Sequence, residues 1–316
     1  MDQFAAMQAF VKVVETGGFS ETARQLNLAV SSVTRQVNAL EALLNTQLLN
    51  RSTRSITLTP QGRQYYQKVV RILQDLEEAN ASVREEEDIP RGILRVGMPV
   101  AFGRLCIAPL LHQFLKQYPE IKLELRLSDA LANLVEDELD LVIRMGNLDR
   151  SGATLIVRKL ADYTRWVCGS PGYLQQFGIP NHPDDLVDHN CLLFAYSIGQ
   201  NIWRFQQKNK AYEIEVKGSI IANNSELLHQ ACLDGLGLIL MPTWLIGEDV
   251  RVGKLQAVLT DFKVHPQAGM DMGIYALYPA NRRDSLRVKT FIDFLIESLK
   301  GVGCGKENLM HNPIIQ

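Results

Sequence analysis

The chain has 316 residues, of which 46% are hydrophobic and 22% are charged, so wholesale disorder is excluded. Its formal charge of −2 excludes binding to nucleic acid through overall basic charge, and any such contact must come from a local patch. Five cysteines without a C-x-x-C pair argue against a disulfide framework or a zinc ribbon and fit a reducing cytosol. No apolar run approaches the roughly 20 residues of a membrane span, and the first residues lack the pattern of a signal peptide. These features predict a cytoplasmic protein with no membrane partner.

Length alone predicts two or three domains, because domains usually run about 100–200 residues each. Acidic residues followed by a proline and a glycine form a breaker-rich linker at residues 85–92, which is the clearest boundary. The sequence predicts a helical unit over residues 1–59, a linker helix and hinge over 60–91, an α/β domain over 92–300 and a loose tail over 301–316.

Three helices are predicted in the first unit. Apolar residues at helical spacing begin the first helix, and Gly17-Gly18 ends it. Ser20 is the predicted N-cap of the second helix and Ser31 or Ser32 that of the third, because serine side chains accept hydrogen bonds from free N–H groups at helix starts. The apolar face of the third helix consists of Val33, Val37, Leu40 and Leu44.

Polar side chains at the start of the third helix predict a helix–turn–helix, whose second helix places its N-terminal residues at base edges in the major groove. Arginines flank a short β wing predicted over residues 51–59. Residues 1–63 hold six basic and four acidic side chains, against an acidic excess in the whole chain. The DNA-binding candidates are Ser31, Ser32, Thr34, Arg35, Asn38, Arg51 and Arg54. The alternative is a small helical interaction module that binds no DNA.

A long helix is predicted from Pro60 to about Glu87, since proline suits the first turn of a helix. Its apolar side chains recur in alternating steps of three and four, the rhythm of a coiled coil. This seam consists of Tyr66, Val69, Leu73, Leu76, Asn80 and Val83. We interpret it as a dimer interface rather than an intramolecular core face, because no other segment of the first unit is left to cover it. Leu73 and Leu76 are expected between protomers.

From Ile93 the pattern changes to alternating strands and helices, which predicts βαβ units on a mostly parallel sheet. The predicted strands cover residues 93–96, 121–127, 139–144, 163–169, 203–205, 212–217, 238–241 and 272–278. The predicted helices cover residues 103–118, 131–138, 226–234 and 286–299. In the helix over 103–118, Leu105, Leu110, Leu111 and Phe114 form the predicted apolar side.

Several stretches, in order and spacing over about residues 1–300, resemble the LysR-type transcriptional regulators. In the first unit they are FSETARQLNL at 19–28, SVTRQV at 32–37 and LLNRSTRSITLTPQG at 48–62. Downstream they are DLVIRMG at 140–146, SPGYL at 170–174 and DGLGLILMP at 234–242. The chain departs from the family where Val30 replaces a frequent Gln or Thr and Ser31 a frequent Pro. Val30 could contact a thymine methyl group or pack against the second helix.

The resemblance implies a winged helix–turn–helix, a linker helix for dimerisation and an effector domain similar to periplasmic binding proteins. That domain would have two α/β lobes, lobe I over 92–163 and 269–300 and lobe II over 164–268. The chain would cross between them near residues 162–164 and 265–269. Dimers would assemble further to tetramers on double-stranded operator DNA.

A cleft between the lobes is expected to bind a small-molecule effector. We expect the effector to carry a carboxylate, since helix N-termini have free N–H groups and the positive end of the helix dipole. The effector-binding candidates are Ala101, Phe102, Ser128, Arg144, Tyr196, Asn223 and Ser225. The backbone N–H groups of residues 101–103 would serve as donors.

Alternative roles stay open for several of these residues. Phe102 can be core, Asn224 or Ser225 an ordinary N-cap, and Arg144 a structural ion-pair partner. Trp203 is interpreted as core.

The leading prediction is a DNA-binding transcriptional regulator whose operator binding or promoter activation is switched by a small-molecule effector in the cleft, and three alternative functions compete with it. The domain over 92–300 alone would suit a solute-binding protein, and a regulator could sense oxidants through a cysteine. An enzyme on the same scaffold is the third, but the sequence holds no G-x-S-x-G, H-E-x-x-H or phosphate-binding glycine motif. We therefore predict no catalytic residues, no metal and no cofactor.

Overall fold

The computed structural model describes residues 2–51, 56–81, 89–130, 134, 138–146, 155–195, 201–265 and 273–300. It divides into two compact units, residues 1–88 and 89–316. Among the helices described, none is long and apolar enough to cross a membrane.

In the first unit, the described residues form four helices and a two-stranded antiparallel wing. The helices are α1 (Gln3–Thr16), α2 (Phe19–Leu26), α3 (Val30–Leu43) and α4 (Pro60–Ala81), and the wing strands are β1 (Leu49–Arg51) and β2 (Ile56–Leu58). The helix–turn–helix is α2 and α3, which pack against α1 around fully buried Phe10, Val33 and Val37. As predicted, α1 ends at Gly17, whose φ of 72° suits glycine.

The predicted serine caps of α2 and α3 are wrong by two or three residues. Gly18 is the N-cap of α2, and Ser20 lies inside the first turn. Ala29 is the N-cap of α3, with extended backbone angles and no side-chain cap, so Ser31 and Ser32 also lie in the first turn. Gly18 and Ala29 have extended backbone angles, so each helix begins directly after them and before the predicted serine.

The predicted dimer seam on α4 is partly an intramolecular face. Val69 is completely buried in the core of the first unit, and Tyr66 and Leu73 pack against that core. The Tyr66 ring meets the Phe10 ring edge-on at a centroid distance of 6.3 Å. The expectation that nothing covers the seam is therefore wrong, because α1 covers its first half.

The second half of α4 keeps its apolar surface in the single chain. Ile72 is 44% exposed, and Leu76, one turn further, is half-buried. Asn80 is exposed. Val83 and the predicted extension of the helix to Glu87 lie outside the described residues.

The start of α4 is fixed by Thr59 and Gly62. The Thr59 hydroxyl accepts a hydrogen bond from the Gly62 N–H at 2.9 Å and donates to the Gln47 carbonyl at 2.8 Å. A Cβ atom on Gly62 would lie 2.0 Å from the carbonyl oxygen of Leu48. Glycine is therefore required where α4 passes the wing.

We expect Gly62→Ala to lower the free energy of unfolding of the first unit by about 1–3 kcal/mol or more, since backbone must move to admit the methyl group. Urea unfolding of the full chain, followed by far-ultraviolet circular dichroism, measures the loss. Gly172→Ala, inside the helix Pro171–Phe177, is the control, because no described atom outside that helix lies within 4 Å of its Cβ position and alanine suits a helix. Equal stability of the two variants would contradict the close approach.

Two five-stranded sheets and a small three-stranded sheet are formed by the described residues of the second unit. The strands of sheet I are β3 (Gly92–Met98), β4 (Ile121–Leu127), β5 (Leu141–Met145), β6 (Leu155–Asp162) and β15 (Gly273–Pro279). Those of sheet II are β7 (Arg165–Gly169), β8 (Cys191–Phe194), β11 (Ile221–Ala222), β12 (Leu238–Pro242) and β13 (Gln256–Val258). The small sheet contains β9 (Ile202–Gln207), β10 (Lys210–Glu215) and β14 (Lys263–His265). Sheet I has the order β4-β3-β5-β15-β6, sheet II the order β11-β8-β12-β7-β13, and the small sheet the order β10-β9-β14.

The prediction of a mostly parallel sheet is wrong in detail. In sheet I, β3 pairs in parallel with β4 and β5, whereas β15 pairs antiparallel with β5 and β6. In sheet II, β8 pairs in parallel with β11 and β12, whereas β7 pairs antiparallel with β12 and β13. Each sheet therefore combines parallel and antiparallel pairs.

Helices lie between these strands. They are α5 (Val100–Phe102), α6 (Ala108–Gln117), α7 (Pro171–Phe177), α8 (Ser225–Leu233), α9 (Thr243–Arg251) and α10 (Leu286–Leu299). The predicted helix over 131–138 lies largely outside the described residues. As predicted, Gly235 follows the C-terminal end of α8, and α10 closes the domain.

One helical segment buries other residues than those predicted for its apolar face. Residues 103–107 form a π-helical segment between α5 and α6, which shifts the register of side chains by adding a residue to the turn. Leu105, predicted on the apolar side, is consequently 38% exposed, whereas Cys106 and Ile107 are buried.

Candidate DNA-binding surface and effector cleft

The outward face of α3 carries most of the predicted DNA-binding side chains. Ser31, Arg35 and Asn38 are exposed, and Ser32 and Thr34 are half-buried. The Thr34 hydroxyl donates to the Val30 carbonyl at 2.9 Å, which leaves its lone pairs for an outside donor. Because Ala29 provides no side-chain cap, the first N–H groups of α3 can donate to a phosphate.

Arg51 has a structural role that the sequence did not predict. Its guanidinium donates to Glu41 at 2.7 Å and lies 5.1 Å from the centroid of the Phe19 ring. The other oxygen of Glu41 accepts from the backbone N–H groups of Leu48 and Leu49 at 2.8 and 3.0 Å. Glu41 thus ties α3 to β1 and holds Arg51 against α2. Arg54 lies outside the described residues.

In the second unit, segments after β3 and β4 of sheet I meet segments of sheet II. The Asp129 carboxylate follows β4 and accepts a hydrogen bond from the Val100 N–H at 3.0 Å. Its other oxygen accepts from the side-chain amide of Asn224 at 2.9 Å, just before α8. One carboxylate therefore bridges the two sheets at the start of two helical segments. We call Asp129, Val100 and Asn224 the bridge.

Two further contacts join the same segments. Arg104 of the π-helical segment donates to Glu226 in the first turn of α8 at 2.9 Å. The Phe102 ring meets the Trp244 ring of α9 edge-on, with a centroid distance of 5.5 Å. Sequence reasoning missed Arg104, Glu226 and Trp244, because residues so distant in the chain carry no shared pattern.

The structure places the predicted effector-binding residues in different environments. Ala101 and Phe102 have 1% and 0% of their surface exposed, so these side chains are core in this arrangement and offer nothing to a ligand. Ser128 and Asn223 are exposed, and Ser225 is half-buried.

Three of the open alternatives can now be examined. Asn224 is the N-cap of α8, accepting from the Leu227 N–H at 2.9 Å, so Ser225 is not the cap. Trp203 is core, as interpreted, at 7% exposure. Arg144 is half-buried in β5, opposite Tyr275 of β15. Tyr196 lies outside the described residues.

The predicted backbone donors are partly occupied. The Gly103 N–H bonds to the Pro99 carbonyl at 2.9 Å, which removes it as an effector donor. The Val100 N–H, which begins the segment, is occupied by Asp129. Within the described parts of the chain, no group of three or more His, Cys, Asp or Glu side chains could hold a metal ion.

The four cysteines that the structure describes are poor redox sensors. Cys106, Cys168, Cys191 and Cys232 are all buried. Burial raises the pKa of the Cys191 and Cys232 thiols to about 12, and that of Cys168 well above its ordinary value. Because the thiolate is the reactive form, these groups stay protonated and inert near pH 8. Cys304 lies outside the described residues.

A Cys304→Ser variant should therefore give no reaction with Ellman's reagent at pH 8 until the protein is denatured, when four thiols react. Peroxide should leave its DNA affinity unchanged. Reaction of a native thiol within minutes, or loss of DNA binding on oxidation, would support the redox alternative.

Two family descriptions match the chain. "Bacterial regulatory helix-turn-helix protein, lysR family" matches residues 4–63, and "LysR substrate binding domain" matches residues 87–300. The chain belongs to the LysR family of transcriptional regulators. This regulator is 36% identical over 303 residues to the HTH-type transcriptional regulator CrgA of Neisseria meningitidis serogroup C, covering 95% of this chain and 98% of that protein.

Solved structures agree with the assignment. The structure of CrgA matches at a TM-score of 0.59 and 34% identity, covering 93% of this chain and 98% of that one. The full-length Vibrio cholerae virulence activator AphB matches at a TM-score of 0.56 and 28% identity, with the same coverage. The predicted fold class and function are confirmed: the regulator joins a DNA-binding helix–turn–helix to an effector-binding regulatory domain.

Proposed function

We propose that a small molecule entering beside the bridge switches the regulator between two arrangements of sheets I and II, and thereby changes operator occupancy. The bridge is the observation that carries this proposal, because one carboxylate accepts from a sheet I segment and a sheet II segment at once. A ligand shifts such an equilibrium only if it binds one arrangement better than the other. Ser128, Asn223 and Ser225 are next to bridge residues in the sequence. They are the proposed ligand contacts, with Arg144 and Tyr196 as further candidates.

We also propose that the regulator acts in the cytoplasm as a homodimer that assembles to a tetramer, and that it has no enzymatic activity. Relatives bear the names of regulators, and chromosomal DNA is the partner that such proteins share. The proposed DNA contacts are the exposed side chains of α3 with Arg54. Arg51 contributes chiefly by holding the wing.

The effector chemistry follows from Asp129. A ligand carboxylate would compete with Asp129 for the Val100 N–H and the Asn224 amide, and would meet repulsion unless Asp129 moved away. A carboxylate effector would therefore open the bridge, whereas an amine or amide effector would add to it. Thermal shift assays with matched pairs of small carboxylates and their amides distinguish the two classes, and Ser128→Ala should abolish the shift in either.

The switch itself can be tested before the effector is known. Asn224→Asp keeps the N-cap of α8, since aspartate caps as well as asparagine, but it faces Asp129 with a second carboxylate. Losing a hydrogen bond to a charged group costs about 1.5–3 kcal/mol, so the bridged arrangement should fall about 10- to 100-fold relative to the other. Peptides spanning 99–107 should then exchange amide hydrogen faster, and operator affinity should change.

The control is the exchanged pair Asp129→Asn with Asn224→Asp, which restores one amide facing one carboxylate. Wild-type exchange rates are expected in this double variant. If Asn224→Asp matches the wild type in both exchange and operator affinity, the bridge is not the switch. If it alters exchange but leaves operator affinity unchanged, the bridge is structural only.

A further inference from the structure

The first residue of α3 is an exposed valine. Val33 and Val37, on the same stripe of the helix, are completely buried, whereas Val30 is 45% exposed. Leu28, in the turn before it, is 43% exposed. Val30 is therefore not buried against the second helix. Val30 and Leu28, which we call the apolar tip, lie exposed at the N-terminal end of α3, the helix predicted to enter the major groove.

The side chain of Val30 can neither donate nor accept a hydrogen bond. In the major groove, the apolar group that a base edge presents is the C5 methyl of thymine. Its neighbours Ser31 and Arg35 are exposed and supply the polar contacts of the same surface. The position, the exposure and the apolar character of Val30 thus favour contact with a thymine rather than with another base.

We propose that Val30 packs against the methyl group of one thymine in each half-site and so helps to determine the operator sequence. This inference rests on the proposed placement of α3 in the major groove. Burying a methyl group against an aliphatic side chain typically changes affinity several-fold. A dimer uses the contact twice, once per half-site.

Deoxyuridine gives a direct test, because it differs from thymidine only by this methyl group. Duplexes bound by the full-length protein are selected from a random 40-base-pair library, and one selected duplex is resynthesised with each symmetry-related pair of thymidines replaced by deoxyuridine. For the wild type, one such pair should lower affinity about three- to tenfold. Val30→Ala should bind the thymidine duplex correspondingly more weakly and show no further loss with deoxyuridine at that pair.

Leu28→Ala is the matched control, an exposed apolar residue of the same tip outside the helix, and it should keep the thymidine preference. Circular dichroism confirms that both variants fold. A wild type that binds every deoxyuridine duplex equally well, or Val30→Ala that keeps the full methyl preference, overturns the assignment. Failure to select any sequence would instead overturn the proposed placement of α3, so the two failures are distinguishable.

Discussion

A regulator with both Ile72→Glu and Leu76→Glu should be monomeric and should bind its operator about 10²- to 10⁴-fold more weakly, because the second half-site is no longer bound intramolecularly. The two residues are one turn apart on α4, and Ile72 is 44% exposed in the single chain. Two charges on this face would have to be desolvated in a dimer. Leu73 is unsuitable for the test, because it packs against the core of the first unit.

Sedimentation at micromolar concentration measures the oligomeric state, and a gel shift measures affinity. The control is Gln64→Glu with Gln67→Glu, which adds the same charge at exposed polar positions of α4. This control should stay dimeric. A dimer that survives both glutamates at Ile72 and Leu76 would place the interface elsewhere.

The second large effect is expected at Arg35. Removing a bidentate arginine contact to guanine costs about 1–3 kcal/mol of discrimination, so Arg35→Ala should reduce the preference for operator over random DNA about 5- to 150-fold. Arg54→Ala should instead weaken both kinds of binding together and flatten the dependence on salt, as expected for a phosphate contact.

Competition gel shifts at several salt concentrations separate these two outcomes. Arg24→Ala is the control, because that guanidinium pairs with Glu21 at 2.8 Å. It should change neither specificity nor salt slope. Undiminished operator preference in Arg35→Ala would remove Arg35 from the recognition surface.

Local signals in the sequence predicted much of the fold. These signals depend only on residues close together in the sequence. They are Gly17, Pro60, Gly235 and the strand over 121–127, and the structure has the predicted helix ends and strand at these positions. The errors arise where tertiary packing decides. The cap of α3 is Ala29 rather than a serine, and the seam of α4 is shared with α1.

The candidate site was less predictable for the same reason. Asp129 and Asn224 are 95 residues apart, and Arg104 and Glu226 are 122 residues apart. No periodicity connects such pairs. Phe102 lies in the predicted segment, but it is completely buried and its ring contacts Trp244, which the sequence pattern does not associate with it.

The strand order of sheet I has a consequence for synthesis on the ribosome. β15 lies between β5 and β6, so β6 has no neighbouring strand in sheet I until residues 273–279 have emerged. The helix that completes its core, α10, is later still. By contrast, the core of the first unit, as far as its residues are described, is formed by side chains between residues 6 and 73. Since domains generally fold as units from the N-terminus, the DNA-binding unit of a nascent chain would be folded while its effector-binding domain is still incomplete.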